Sequence, residues 1–226
     1  MKQVVTLLLV LLSTVLIAQT PAQHTIDVTG MGVVHIVPDN VTVSVRVENT
    51  GKEAKAVKQL NDATISEVLS FVKSMKIADK DIQTAYISLS KNHEYNTKTY
   101  NYAANQSMKI KLRDLSQYEK LLNGLLESGV NRIEGVSFSS SEIKQLESQA
   151  RKNAMLNAKM KATEYAGALD QTIGKALSIS EFTQGATSPP MYKMALRMDD
   201  RASGGDTIAP GELEIRVTVN VSFALN

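Results

Sequence analysis

The chain has 226 residues, of which 43% are apolar and 21% charged, so it is long enough for one large domain or two small ones. Its 25 basic and 23 acidic residues nearly balance, which argues against a protein that binds nucleic acid through a basic surface. It contains no cysteine, and this excludes disulfides, thiolate metal sites, a cysteine nucleophile and a lipid-modified cysteine.

The N-terminus carries an uncharged, mostly apolar stretch from Val4 to Ala18, preceded by the single charge of Lys2. As a helix this stretch would span about 22 Å, which is short of the roughly 30 Å hydrocarbon core of a bilayer, so we expect no stable membrane span. A basic residue, a short apolar run and a small residue form the pattern of a secretory signal. We therefore predict a signal peptide over 1–18, with cleavage as late as 22, and an exported protein that is periplasmic or associated with the cell envelope.

Strands and one helix are predicted in the first half of the chain. A strand over 24–37 ends at Pro38, and in the next strand four valines from Val41 to Val47 alternate with polar residues. Apolar residues then change to helical spacing between Glu53 and Met75, which predicts a helix. Its predicted buried face consists of Val57, Leu60, Thr64, Val68, Phe71 and Met75. Strands over 79–90 and 105–112 follow, joined by a polar hairpin end.

The second half repeats this alternation of strands and helices. A short helix ends at Gly129, and a strand runs through Val136 and Phe138. A long helix over 142–169 follows, in which alanine recurs at every fourth position from Ala150 to Ala166. Such a ridge of minimal height lets a helix backbone lie close to its support. The residues predicted to extend this buried stripe are Ile143, Leu146, Tyr165 and Leu169. Strands are predicted over 173–182 and 212–223.

These elements predict an α+β fold with antiparallel sheets that are covered by helices on one face. The predicted architecture is two strand-helix-strand-strand units joined by a short helix. The two units are pseudo-repeat halves of about 40–112 and 131–224 within one domain over 24–226. Because the amino-acid sequences of the halves do not repeat well, we predict a duplication of the architecture only.

Few residues offer chemistry. The three histidines, His24, His35 and His93, lack the spacing of converging metal ligands, and no nucleophile motif is present. The glycines of Gly30-Met31-Gly32 lead into a strand, not a helix, so we expect them to permit a bulge or a close backbone approach rather than to bind a dinucleotide. We predict no catalytic residue, no metal site and no cofactor.

One segment, 183–211, is long, rich in Gly, Pro and Ser, and has no regular period. It nevertheless contains several apolar side chains, too many for a purely solvated linker. We predict that these residues contact a partner: Met191, Tyr192, Met194, Leu196 and Met198. Because thioethers also bind Cu(I), a copper site at the three methionines is the alternative.

The chain resembles the SIMPL domain family over about 24–226. The resemblance is carried by an ordered set of motifs: PD at 38–39, DIQT at 81–84, Tyr102, the alanine-rich helix over 150–162, SISE at 178–181 and PGELEI at 210–215. It implies an exported bacterial protein, similar to periplasmic oxidative-stress-defence and periplasmic immunogenic proteins. It also implies a link to oxidative-stress tolerance and, as in some relatives, assembly into large channel-like oligomers. It supplies no set of catalytic residues.

Three hypotheses of function follow from these observations. We favour an exported, non-enzymatic envelope protein that acts by self-assembly or binding, as a homo-oligomer or with an envelope partner and without nucleic acid. The alternative is a carrier of a small ligand or of a metal such as copper. A detoxifying enzyme is the third hypothesis, and the missing nucleophile, metal and cofactor motifs weigh against it.

The methionine segment can be tested by changing Met191, Met194 and Met198 together to Ser. Apolar burial is worth about 25 cal/mol per Å², so the variant should assemble less in sedimentation velocity while its unfolding midpoint stays that of the parent. Unchanged assembly would make the segment a plain linker. Loss of stoichiometric Cu(I) binding in the variant would instead favour the metal carrier.

Overall fold

The structure is a computed structural model that describes residues 24–94, 98–182 and 210–226. The strands and helices are β1 (Thr25–Ile36), β2 (Asn40–Gly51), α1 (Ala54–Ser74), β3 (Ile82–Thr84), β4 (Ser88–Glu94), β5 (Thr99–Leu112), α2 (Tyr118–Glu127), β6 (Arg132–Ser139), α3 (Ile143–Gly167), β7 (Ile173–Phe182) and β8 (Leu213–Leu225). Short 3-10 turns precede β3 and α2. Antiparallel strands and three helices confirm the predicted α+β class. The predicted signal peptide lies outside the described residues.

The chain folds into two compact units. The first consists, among the described residues, of 24–32, 150–182 and 217–226, and its sheet has the strand order β1-β8-β7. The second consists of 33–149 and 210–216, and its sheet has the order β3-β5-β2-β6, with β4 also paired to β5. The division into repeat halves at 40–112 and 131–224 stays a prediction.

The core of the second unit lies between the five-stranded sheet and the two shorter helices. The valines of β2 are at most 1% exposed, and the register places Val43 opposite Ile110 and Val45 opposite Met108 on β5. Leu121 and Leu125 of α2 complete this core. The alternation read from the sequence therefore identifies the buried face of the sheet correctly.

The buried face of α1 differs from the predicted one. Its buried residues are Val57, Asn61, Ile65, Val68 and Val72, whereas Leu60 is 53% exposed. Asn61 is polar and so interrupts the apolar pattern, but its Nδ2 donates to Val47 O at 3.2 Å, which satisfies a group in the core. Phe71 belongs to a second contact, since its ring lies against Gly124 of α2. The predicted face therefore mixed residues that pack on the sheet with a residue that packs on α2.

The prediction of one strand over 79–90 is wrong. Asp79–Asp81 form a 3-10 turn, and β3 and β4 are separate strands that both pair with β5. β5 also begins at Thr99, earlier than predicted, because polar residues of the hairpin continue the ladder. There the Lys91 ammonium lies 4.2 Å from the centroid of the Tyr100 ring, a cation–π contact that apolar periodicity does not reveal.

The alanine ridge of α3 is buried as predicted. All five alanines from Ala150 to Ala166 are at most 1% exposed. Gly30 and Gly32 of β1 face this ridge, and a methyl group on either would overlap a carbonyl oxygen of the helix, that of Ala154 or Ala150. The close backbone approach expected of these glycines is therefore confirmed.

The predicted extension of this stripe is wrong at three of its four residues, whereas Leu146 is half-buried. Tyr165 is 56% exposed and Leu169 72% exposed, and Ile143 is also on the surface. A ridge of period four slowly rotates around a helix of period 3.6, so side chains chosen by sequence spacing alone leave the contact. Leu169 also follows the last helical residue, Gly167.

Gly32→Ala should destabilise the chain, because the added methyl group has no space between β1 and α3. Overpacking of this kind costs about 1–3 kcal/mol, to be measured by urea unfolding. Gly167→Ala is the matched control, since no atom lies within 4 Å of a methyl group placed there. An unfolding free energy for Gly32→Ala equal to that of the parent would show that α3 does not approach β1 this closely.

Candidate functional site

The outer edge of β1 is closed by side chains of α3. The Lys161 ammonium donates to the Thr29 carbonyl oxygen at 2.9 Å, and the Met31 N–H donates to Asn157 Oδ1 at 3.0 Å. Both backbone groups belong to the side of the strand that faces away from β8. An edge strand without such contacts has unpaired backbone groups with which another polypeptide chain can pair. At this edge α3 satisfies two of them.

The opposite edge of the same sheet, β7, is open. Residues 175–181 are all exposed, and within the described ranges no residue hydrogen-bonds to the outer backbone of this strand. The pairing of β7 with β8 is irregular between Ile173 and Ser178 and regular from Ser178 to Phe182. Irregular pairing twists the first part of the strand, so the regular part is where another strand can add.

Two apolar side chains lie at this open edge. Leu177 is 45% exposed and Ile179 is 57% exposed. Glu181 is held by α3, because Arg151 Nε donates to both of its carboxylate oxygens at 3.0 Å. We refer to residues 177–181 as the open β7 edge. It combines an outer backbone to which no described residue hydrogen-bonds, exposed apolar side chains and one charged side chain fixed in place.

A shallow polar depression lies on the other face of this sheet. It has a volume of about 390 Å³, and its polar lining residues are Asp27, Thr29, Ser178, Ser180, Asn220 and Ser222. The Thr29 hydroxyl donates to Asn220 Oδ1 at 2.8 Å. The lining contains no histidine or lysine that could act as the base for a serine nucleophile. This face offers hydroxyl and amide groups for hydrogen bonding and one carboxylate, that of Asp27.

The carboxylates of the two aspartate motifs, Asp39 and Asp81, lie at one end of the five-stranded sheet, and both have a lowered pKa. Asp39 Oδ1 accepts hydrogen bonds from the Ser141 N–H at 2.7 Å and from Asn40 Nδ2 at 2.6 Å. The Ser141 hydroxyl donates to the other oxygen and is the largest cause of the lowered pKa of Asp39. Asp39 therefore ties β2 to the turn that precedes α3.

Asp81 forms a bidentate pair with Arg113. Arg113 Nε and Nη2 donate to the two carboxylate oxygens at 2.8 and 2.7 Å, and the Asp81 side chain is only 7% exposed. These hydrogen bonds are the largest cause of the lowered pKa of Asp81 and of the raised pKa of Arg113. A carboxylate held ionised in this way is a weak general base. Its structural effect is to join the turn before β3 to the end of β5.

The remaining residues with reactive or metal-binding side chains are not brought together in one site. The ring centroid of Tyr102 lies 6.0 Å from the Lys91 ammonium, and the His93 ring lies 4.9 Å from that of Tyr100. His35 Nδ1 is 4.0 Å from a carboxylate oxygen of Glu212. Across 24–94, 98–182 and 210–226, no three His, Cys, Asp or Glu side chains are arranged to hold a metal ion. No helix in those ranges is long and apolar enough to cross a membrane.

The predicted contact residues Met191, Tyr192, Met194, Leu196 and Met198 lie outside the described residues. The sequence analysis missed the open β7 edge. Its alternation of Leu177 and Ile179 with serines was visible as a strand, but which strand ends a sheet depends on long-range pairing. The exposed apolar positions in a strand otherwise rich in serine were the available signal.

Two antiparallel sheets with helical cover place the chain among two-layer α+β proteins. The chain belongs to the SIMPL family, described as a protein of unknown function (DUF541), whose model matches residues 26–223. This finding confirms the resemblance drawn from the motifs.

Two relatives extend along most of the chain. It is 27% identical over 199 residues to a protein of Escherichia coli K12 named "Uncharacterized protein YggE", covering 87% of this chain and 81% of the relative. It is 27% identical over 210 residues to the "26 kDa periplasmic immunogenic protein" of Brucella melitensis biotype 1, covering 88% and 84%. A solved structure of AtUAH in complex with (S)-hydroxyglycine aligns with a TM-score of 0.23 at 12% identity, over 56% of this chain and 34% of that one, and bears on neither fold nor function.

Asp81→Asn should make the chain less sensitive to acid. The folded-state pKa of Asp81 lies below its ordinary value of 3.8, so its ionised form stabilises the fold above that pH and the contribution is lost as the pH falls further. The urea midpoint of the variant should be lower than that of the parent at pH 7, and the gap should narrow below about pH 4.

Asp79→Asn is the control for this measurement. The Asp79 side chain is 87% exposed and lies 3.9 Å from Lys73, and exposed pairs of this kind contribute little. A gap between the Asp81→Asn variant and the parent that stays constant from pH 7 to pH 3 would contradict the assignment of the lowered pKa.

Proposed function

We propose that this chain is an exported envelope protein that acts by binding protein chains at the open β7 edge and not by catalysing a reaction. Self-assembly, in which the bound chain is another copy of the protein, is the kind of binding that we favour. The observation that carries the proposal is the unequal treatment of the two edges of one sheet. Side chains of α3 satisfy two outer backbone groups of β1, while no described residue hydrogen-bonds to the outer backbone of β7, where Leu177 and Ile179 are exposed.

Strand addition explains how such an edge would work. An added strand gains affinity from main-chain hydrogen bonds and specificity from alternate side chains. Exposed apolar side chains at one place on a surface mark an interaction site. The regular segment from Ser178 to Phe182 limits the added pairing to a short stretch, which favours reversible association.

Two independent observations support the location. The stretch from Val4 to Ala18 has the pattern of a secretory signal, and the Brucella relative carries the word periplasmic in its name. The SIMPL resemblance implies a link to oxidative-stress tolerance, and we propose that the protein contributes to this tolerance. It would do so by binding protein chains at the open β7 edge.

Ile179→Lys should weaken association of the mature chain. A lysine at an open strand edge must be desolvated when another strand pairs there, and natural edges use this residue to prevent pairing. We expect the dissociation constant from sedimentation velocity to rise about tenfold or more. Because Ile179 is 57% exposed, the unfolding midpoint should stay that of the parent.

Leu156→Lys is the matched control, since Leu156 is an exposed apolar residue of α3, 67% exposed, on the helix face opposite the alanine ridge. Its association should equal that of the parent. A monomeric parent, or equal weakening by both substitutions, would overturn binding at the β7 edge.

A further inference from the structure

The polar depression on the three-stranded sheet has side chains in two rows. Ser180 pairs with Asn220 in the register of β7 and β8, and the Thr29 hydroxyl donates to Asn220 Oδ1 at 2.8 Å. These three side chains form the first row, which crosses the sheet from β1 to β7. Beyond Asn220 the chain reaches Leu225, whose N–H donates to the carbonyl oxygen of His24, a residue that precedes Thr29. β1 is therefore antiparallel to β8.

The second row contains the carboxylate of the depression. Because β1 and β8 are antiparallel, Asp27 lies opposite Ser222, and Ser222 pairs with Ser178 on β7. Two residues of a strand advance about 6.6–6.8 Å, so the two rows lie about that far apart. The short serine side chains leave open the volume of about 390 Å³ above the sheet. This volume has room for the body of a small molecule as well as for one polar group.

The charge of the depression favours a cationic ligand. Of the described residues that line it, Asp27 alone is charged. Within the described ranges no donor hydrogen-bonds to the Asp27 carboxylate and no basic side chain pairs with it, so both of its oxygens can accept from a ligand. The serine hydroxyls beside it are neutral groups that can accept or donate. A ligand with one positive charge matches this set of groups.

We propose that the depression binds a small molecule that carries one ammonium group on a hydroxylated body, such as an amino sugar or an amino alcohol. The ammonium donates to the Asp27 carboxylate and to the neighbouring Ser222 hydroxyl, since a charge-assisted hydrogen bond is the strongest that this surface can form. The hydroxylated body lies over Ser178 and the first row. There the amide of Asn220 still has N–H donors, because its contact with Thr29 uses only Oδ1.

Other classes of ligand fit this set of groups less well. A calcium ion takes six to eight oxygen ligands, commonly from several carboxylates, whereas the lining offers one carboxylate. An anion would be repelled by Asp27. A neutral sugar would leave this charge unmatched, and none of the described residues of the lining is aromatic, so none can stack on a sugar ring.

This inference goes beyond the proposed function, because the two sites use different sides of β7. Successive residues of a strand face opposite sides of the sheet. Ser178 and Ser180 therefore line the depression, while Ile179 and Glu181 belong to the side that α3 covers, where Arg151 holds the carboxylate. The SISE motif at 178–181 thus supplies residues to both surfaces.

Glucosamine is the probe, and glucose is the matched ligand that lacks the ammonium group. Binding to the mature chain is measured by saturation-transfer difference NMR in mildly acidic buffer, in which the amine of glucosamine is protonated. The parent should bind glucosamine at least about tenfold more tightly than glucose, because only glucosamine forms the charge-assisted hydrogen bond with Asp27.

Asp27→Asn should remove this preference. It should weaken glucosamine binding about tenfold or more and leave glucose binding unchanged, since it removes the charge and keeps the size of the side chain. Because Asp27 is exposed, the unfolding midpoint should stay that of the parent. Asp170→Asn is the matched control: Asp170 is an exposed aspartate of the same unit that does not line the depression, and the variant should bind as the parent does.

The results that would overturn the site differ from those that test the β7 edge. Equal affinity of the parent for glucosamine and glucose, or binding of neither, would overturn the ammonium site. Equal weakening by Asp27→Asn and Asp170→Asn would show attraction to the whole chain instead of a site. Ile179→Lys, which tests assembly, should bind glucosamine as the parent does, and loss of binding in that variant would contradict a site within one chain.

Discussion

The close approach of α3 to β1 decides what the three-stranded sheet presents to its surroundings. Glycine on the strand and alanine at every fourth position on the helix let two backbones meet where any larger side chain would hold them apart. This contact brings the helix over β1, within reach of that strand's outer backbone. The hydrogen bonds of Asn157 and Lys161 follow from this position, and so does the exposure of Ile179 at the other edge.

The second unit uses different means to hold its strands. Its valine-rich strand β2 buries one face under α1 and α2, and hydrogen bonds hold the two aspartates at the end of the sheet. Asp39 and Asp81 belong to the motifs that carried the family resemblance, and both accept hydrogen bonds that connect separate segments of the chain. Their part in the motif pattern is thus explained by folding, because each carboxylate holds a turn against a strand end.

Sequence patterns predicted the strands and helices of this fold better than the contacts between them. The alternation of Val41 to Val47 and the alanine spacing of α3 each identify a buried face, because the period of the element repeats along it. Asn61 escaped the analysis because a buried amide, here one whose Nδ2 donates to the Val47 carbonyl, has no apolar signal. The open edge escaped it because the order β1-β8-β7 joins residues almost 200 positions apart, and no local pattern contains that pairing.

An open edge is a hazard as well as a binding site, since unpaired strands promote indiscriminate aggregation. Two features of β7 restrict what can add there. The irregular pairing before Ser178 shortens the usable backbone. Arg151 holds the carboxylate of Glu181 at one end of the regular segment, so any strand that adds there must accommodate this charge. A purely apolar strand does not, and the edge therefore disfavours indiscriminate pairing.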